Sequence, residues 1–204
     1  MAKVIILNAP PRSGKDTIQN MILSQRNVMP GMFKRTMFKL VKIIIGSSDF
    51  HKFMDVYETD GKDTEKLSFL GGMTCREFMI WISEGVIKPK FGNSHFGTLE
   101  ASHLHENNEY EQPFIYSDGG FHDEVKTLVD FGHEVILVRL HREGFDFSND
   151  SRDYIYFGGE YADRLEQHDI NLVDGEPQLA VDEICEIAGL VSNTYKYGED
   201  DIPW

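Results

Sequence analysis

Val4-Ile5-Ile6-Leu7-Asn8-Ala9-Pro10-Pro11-Arg12-Ser13-Gly14-Lys15-Asp16-Thr17 is the stretch whose reading decides the fold. Its first four residues are apolar and mostly β-branched, the mark of a buried strand. Pro10-Pro11 breaks that strand, Gly14-Lys15 follows, and Thr17-Ile18-Gln19-Asn20-Met21-Ile22-Leu23 reads on as a helix. Strand, turn, Gly-Lys and helix is the layout of a phosphate-binding loop. Backbone N–H groups at the open end of a helix point at an anion, the helix dipole favours negative charge there, and a lysine adds a mobile cation. The match to G-x-x-x-x-G-K-[ST] is incomplete. Ala9 stands where the first Gly is expected and Asp16 where Ser or Thr is, with Thr17 one residue later. An ordinary strand-to-helix turn has no need to gather Arg12, Lys15 and Asp16 into one bend, so the stretch reads as a nucleotide-phosphate site.

The chain has 204 residues, 41% of them hydrophobic and 12% aromatic, enough for one domain with a sizeable core. No apolar run approaches the ~20 residues of a membrane span, and the N-terminus enters a strand at once. The expectation is a cytoplasmic protein without a membrane partner. Cys75 and Cys185 lie among apolar residues without metal-ligand spacing and read as buried thiols. The net charge of −14 is uneven: residues 1–45 carry eight Lys or Arg against Asp16 alone. A basic front on an acidic body suits an anionic ligand at the loop and argues against duplex binding over the whole surface.

Further along, Asn27 to Gly31 reads as a turn and Met32 to Ile45 as a helix with Lys34, Arg35, Lys39 and Lys42 on its polar face. Such charges are either a solvated face or, for Arg35 and Lys39, substrate contacts. Gly46 to Leu70 is a helical or loop excursion. Thr74-Cys75-Arg76-Glu77 opens a helix as a capping box, Gly85 can end it, and Lys88-Pro89-Lys90 sits in a basic loop before a helix near Leu99–His105. Asn107 to Gln112 is a hydrophilic loop.

Pro113-Phe114-Ile115-Tyr116-Ser117-Asp118 is a second buried strand that presents a carboxylate at its C-terminal end, before Gly119-Gly120. A turn aspartate is the plain reading. Beside a phosphate loop, a Mg²⁺-directing aspartate is the functional one. Asp123 to Asp130 reads as a helix, Glu134 to Leu140 as a third strand, and His141 to Arg152 as a polar loop where a lid would sit. His168 to Glu176 is a short strand and turn, Leu179 to Ala188 an amphipathic helix, and Tyr195 to Trp204 an acidic tail. Alternating strands and helices predict an α/β fold, a three-layer sandwich with a mostly parallel sheet between helices. One domain is expected over residues 1–204, with a substrate-side excursion at about 46–110 and a lid-like loop at about 141–165.

The S-G-K-D-T loop, the strand ending in Ser117-Asp118, the strand Val135–Arg139 and the run Asn171-Leu172-Val173-Asp174-Gly175 resemble the phage deoxynucleoside monophosphate kinases. Animal-type phosphomevalonate kinase shares the loop more distantly. The resemblance implies a P-loop kinase fold, ATP and Mg²⁺ as cofactors, and a host-cytoplasmic location for a phage-encoded chain. It implies that Arg12, Ser13, Gly14, Lys15, Asp16 and Thr17 cradle the phosphates, with Lys15 bridging β and γ. Asp16 or Thr17 with Asp118 would hold Mg²⁺. Arg139, Arg142 and Arg152 would stabilise charge in transfer, and Asn171, Asp174 and Gly175 would pass beneath the adenine. Arg76, Lys88 and Lys90, with Arg35 and Lys39, would face the acceptor.

The family usually continues after Ser-Asp with an apolar residue and an Arg that clamps the acceptor phosphate. This chain has Gly119 and Gly120 there. The leading expectation is a (deoxy)nucleoside monophosphate kinase with another cation as clamp; the alternative is a related kinase for a hydroxyl on a modified nucleoside or a hydroxymethylated base in DNA, and the last is a nucleotide-binding module without turnover. A nucleic acid acceptor belongs to the hydroxyl reading, and a homodimer is compatible with either kinase.

Overall fold

A computed structural model describes residues 1–106, 112–148, 150 and 152–192. The loop expected at 107–112 lies almost wholly outside these residues, and the acidic tail at 195–204 lies wholly outside them. At the centre is β1 (Lys3–Asn8), which pairs in parallel with β3 (Phe114–Tyr116) on one side and β4 (Glu134–His141) on the other. The short edge strand β2 (Met29–Pro30) adds to β3, and β5 (Leu165–Asn171) adds to β4. The order is β2-β3-β1-β4-β5, every pairing is parallel, and all C-terminal strand ends share one edge.

Side chains alternate across that sheet, as the two-residue strand period requires. Ile5, Leu7, Ile136 and Val138 pack with Ile18 and Ile22 of α1 (Lys15–Gln25) and Ile184 of α8 (Pro177–Ala188). Val4, Ile6, Tyr116 and Leu137 pack on the opposite face with Leu104 of α6 (His95–Glu106) and Leu128 of α7 (His122–Asp130). The chain is thus α/β, a P-loop kinase-like three-layer sandwich, as its strand and helix pattern predicts. No helix among the described residues is long and apolar enough to cross a membrane.

The excursion is more helical than the sequence reading expected. Helix α2 spans Arg35–Tyr57 with a break at Gly46, whose φ of 79° and ψ of 163° are not helical, so a first helix stops at Ile45 as expected and a second carries the chain into the excursion. After the short α3 (Gly61–Thr64), the capping box at Thr74 and Glu77 forms as read and opens α4 (Cys75–Ile80). Gly85 does not end this helix. A π-helical stretch, Trp81–Ile87, carries the chain into α5 (Lys88–Phe91), so the expected basic loop is helical up to Gly92. The Cβ position of Gly85 lies 3.3 Å from Trp81 Cδ1, which gives the glycine a packing role. Val41, Phe53, Leu70, Cys75, Phe78 and Ile82 form the third apolar cluster, which makes the excursion a layer with its own core.

The expected turn at Asn27–Gly31 contains β2. Pro30 is tolerated because the strand is at an edge, and Gly31 is required because a Cβ there would lie 2.1 Å from the Tyr116 ring.

Candidate functional site

Two cavities flank the loop between β1 and α1. The smaller, about 190 Å³, lies between Ser13, Gly14, Thr17 and the Leu172–Pro177 segment, with Arg142 at its rim. The larger, about 360 Å³, lies between the strand ends and the helical excursion.

The loop itself is tightly tied. Ser13 Oγ donates to Pro10 O at 2.8 Å, Gly14 takes φ 104°, and Arg12 sits in the left-handed region at φ 63°. Lys15 is 7% exposed, and its Nζ reaches Pro10 O at 3.5 Å. Burial lowers its pKa, Asp16 opposes that, and Arg152 and Lys34 add to it. Lys15 therefore feels the cations of the larger cavity while standing in the loop that walls the smaller one. Asp16 and Thr17 are exposed on the first turn of α1 and offer hard oxygen donors of the kind Mg²⁺ takes. No cluster of three or more His, Cys, Asp or Glu among the described residues is arranged as a metal centre.

On the base side, Arg142 donates through Nε to Asp174 Oδ1 at 2.9 Å and through Nη1 to Ser13 O at 3.3 Å. It ties the phosphate loop to the turn after β5. Gly175, at φ 79°, lines the small cavity, as do Leu172, Val173 and Pro177; Asn171 and Asp174 do not. The run Asn171–Gly175 is thus placed beside the loop, with its apolar members toward the space.

Arg139 is elsewhere. It is 4% exposed and lines neither cavity. Its guanidinium grips Asp169 in a two-point pair at 2.8 and 2.6 Å and donates to Ile155 O and the Gln167 amide oxygen. Its role is to hold the β4–β5 loop on the sheet. Arg35 faces buried Glu100 at 3.7 Å, which itself accepts from Tyr116 OH at 2.7 Å, and so ties α2 to α6. Lys39 and Lys90 are exposed and line neither cavity. Arg12 is exposed too, 3.5 Å from Asp60.

The larger cavity gathers the rest. Arg76 and Lys88 line it as expected, but each is paired: Arg76 with Asp63, Lys88 with Glu84 at 2.7 Å. Asp118 lines it as well, and each of its oxygens accepts one amide, from Phe33 at 3.1 Å and Lys34 at 2.9 Å. It caps the start of α2, an arrangement the strand-end reading did not foresee. Burial is the main influence on its carboxyl and raises its pKa.

Arg152 supplies what Gly119-Gly120 lacks. Its side chain lies across Gly120, where an added Cβ would meet Arg152 Cδ at 2.4 Å. Asp150 holds it with two bonds of 2.7 Å. Asn8, at the end of β1, fixes the following residues by accepting from Ile155 N and donating to Asp153 O. A guanidinium thus reaches this space from a distant loop.

Glu124 escaped the sequence reading. At the third position of α7 it reads as a helix-capping acid, and it accepts from Gly120 N and Phe121 N. The structure also places it on the wall of the larger cavity. Burial, then Asp118, raises its pKa to about 7. Only its six-residue distance from Asp118, with the tight Gly-Gly turn between them, hinted that the two carboxyls would share a wall.

No protein-family model matches the chain, and no curated protein matches it. Its function is read from the site.

Proposed function

We propose that the chain is an ATP- and Mg²⁺-dependent phosphotransferase acting on a nucleotide-type acceptor. One observation carries the reading: buried Lys15 stands in the loop whose Ser13, Gly14 and Thr17 wall the small cavity, and it feels the charges of the large one. The small cavity takes the donor base, flanked by Leu172 and Val173, while Ser13 to Thr17 present backbone N–H groups to its phosphates. Asp16 and Thr17 would hold Mg²⁺, which when bound would supply charge neutralisation on the transferred group. Lys15 draws the γ-phosphoryl group toward the large cavity, and Arg152 offsets charge there. Phosphoryl transfer is mostly positioning and charge neutralisation, so this set suffices without a covalent nucleophile.

Of the two acceptors left open, the charge of the large cavity favours a hydroxyl over a monophosphate. Its cations Arg76, Lys88 and Arg152 already face Asp63, Glu84 and Asp150, and Lys34 acts on Asp118, while Asp123 and Glu124 add further acidic groups. A dianion would have to draw these cations from their partners, leaving the enclosed Asp150 carboxylate unpaired in the case of Arg152. A modified nucleoside, or a hydroxymethylated base in DNA, brings a neutral nucleophile instead.

The test is transfer of γ-labelled ATP phosphate to nucleosides, nucleoside monophosphates and DNA carrying hydroxymethylated pyrimidines. Label is expected in a nucleoside or in DNA. Label in nucleoside diphosphates alone would return the assignment to a monophosphate kinase, and no Mg²⁺-dependent transfer to any acceptor would reject a phosphotransferase.

A further inference from the structure

We propose that Glu124 is the proton acceptor of this site, taking the hydrogen of an acceptor hydroxyl as its oxygen bonds to the γ-phosphorus. The inference rests on the hydroxyl reading above. The bond from the γ-phosphorus to the β–γ bridging oxygen breaks in the same step and its electrons leave with the nucleoside diphosphate. The proton passes to Glu124 and then to solvent.

Two carboxylates meet the cavity where an acceptor must sit, and their surroundings differ. Asp118 has one amide on each oxygen, from Phe33 and Lys34 in the turn that leads into α2, so both oxygens are engaged in fixing that turn. Glu124 receives both of its backbone bonds, each 3.2 Å, on Oε2 alone. That leaves Oε1 to receive a proton. The charges facing Glu124 are Asp118 from the end of β3, Lys88 from α5 and Arg152 from the β4–β5 loop, with Asp123 beside it on α7. α6 approaches with Gly97, whose Cβ position lies 3.2 Å from Glu124 Cα. Enclosure and the Asp118 charge bring the carboxyl to about 7, where a base combines basicity with a populated ionised form at neutral pH. Arg152 and Lys88 keep the pocket from rejecting the ionised carboxylate altogether.

The functional and the merely structural role separate cleanly. Glu124→Gln keeps an oxygen for the Gly120 and Phe121 amides but cannot take a proton. Glu124→Ala removes both functions. With labelled ATP and nucleoside or hydroxymethylpyrimidine DNA as probes, Glu124→Gln is expected to lower kcat on the order of 100-fold, with KM nearly unchanged. The wild-type rate should rise with pH through an acid limb near 7 that the variant lacks. Affinity for a fluorescent ATP analogue should be the same in both. Wild-type kcat and an unchanged acid limb in Glu124→Gln would reduce Glu124 to a helix cap. Transfer to monophosphates alone also overturns the proposal, since a phosphate oxygen at neutral pH brings no such proton. If the wild type labels no acceptor and Lys15→Ala binds the analogue as tightly as wild type, the phosphotransferase reading itself fails, and this inference with it.

Discussion

Gly120 is a small residue on which the placement of Arg152 depends. Its φ lies outside the left-handed region, so alanine suits its backbone, yet the new methyl would sit 2.4 Å from Arg152 Cδ and 3.0 Å from Cγ. Gly120→Ala should therefore act by displacing Arg152 alone. We expect acceptor kcat/KM to fall about 10- to 100-fold, the scale of an ångström misplacement at a reacting centre. ATP-analogue affinity should hold. The check is a double-mutant cycle with Arg152→Ala: the double variant should be no worse than Arg152→Ala, because two changes that remove one interaction do not add. Additive losses would show that Gly120 matters for another reason. The sequence made the gap visible, since Gly119-Gly120 stands where a clamp is expected. It could not show what fills it, because Arg152 reaches Gly120 through the β4–β5 connection, and no local pattern encodes the path of a loop. The loop residues Ser13, Gly14 and Lys15 were legible because their chemistry is local: a turn, a helix start and a cation at fixed spacing.

Among the elements, the strands were the most legible, since Val4–Leu7 and Val135–Leu140 are long apolar runs that only a sheet covered on both faces can bury. The excursion was the least. Gly85 reads as a stop but makes room for an indole ring, and a second helix resumes beyond the break at Gly46. The same gap between residue type and placement misled the reading of Arg139, which looked like a catalytic cation and proves to be the tie between β4, β5 and the loop at Ile155. Removing it strands Gln167 and the Ile155 carbonyl and takes away the buried half of an ion pair, so Arg139→Ala should cost about 3 kcal/mol. That corresponds to a fall in Tm of roughly 6–12 °C, measurable by calorimetry. Asp169 is half exposed, and its carboxyl is held well below the usual carboxylate range, first by Arg139 and also by His141. A depressed carboxyl stabilises the fold above its unfolded value near ~3.9 and loses that contribution as pH falls below it. The stability gap between wild type and Asp169→Asn should thus be widest near neutrality and narrow below about pH 4. A gap that is flat from pH 7 to 3 in denaturant titrations would remove Asp169 from the account.

For the molecule as a whole, the basic front and acidic body resolve into a division of labour. The loop between β1 and α1 brings Lys15 into a largely enclosed place, with Arg152 and Lys34 among its neighbours and Asp16 and Asp150 as the opposing charges. Burying an ammonium among cations opposes folding, and the lowered pKa of Lys15 reports that cost. An incoming polyphosphate reverses the balance, because it supplies the anion this arrangement lacks. Lys15→Met, similar in length and uncharged, is therefore expected to match or exceed the wild-type Tm without nucleotide. Wild type should gain stability with ATP and Mg²⁺, about 2.7 kcal/mol once ligand reaches a hundredfold excess over Kd. The variant should show little of that gain. Thermal melts of both proteins across an ATP series, with and without Mg²⁺, measure it directly. A variant that melts well below wild type without nucleotide would make Lys15 a structural residue. Equal ATP-dependent shifts in the two proteins would separate the loop from nucleotide binding, and with it the donor half of the proposed reaction.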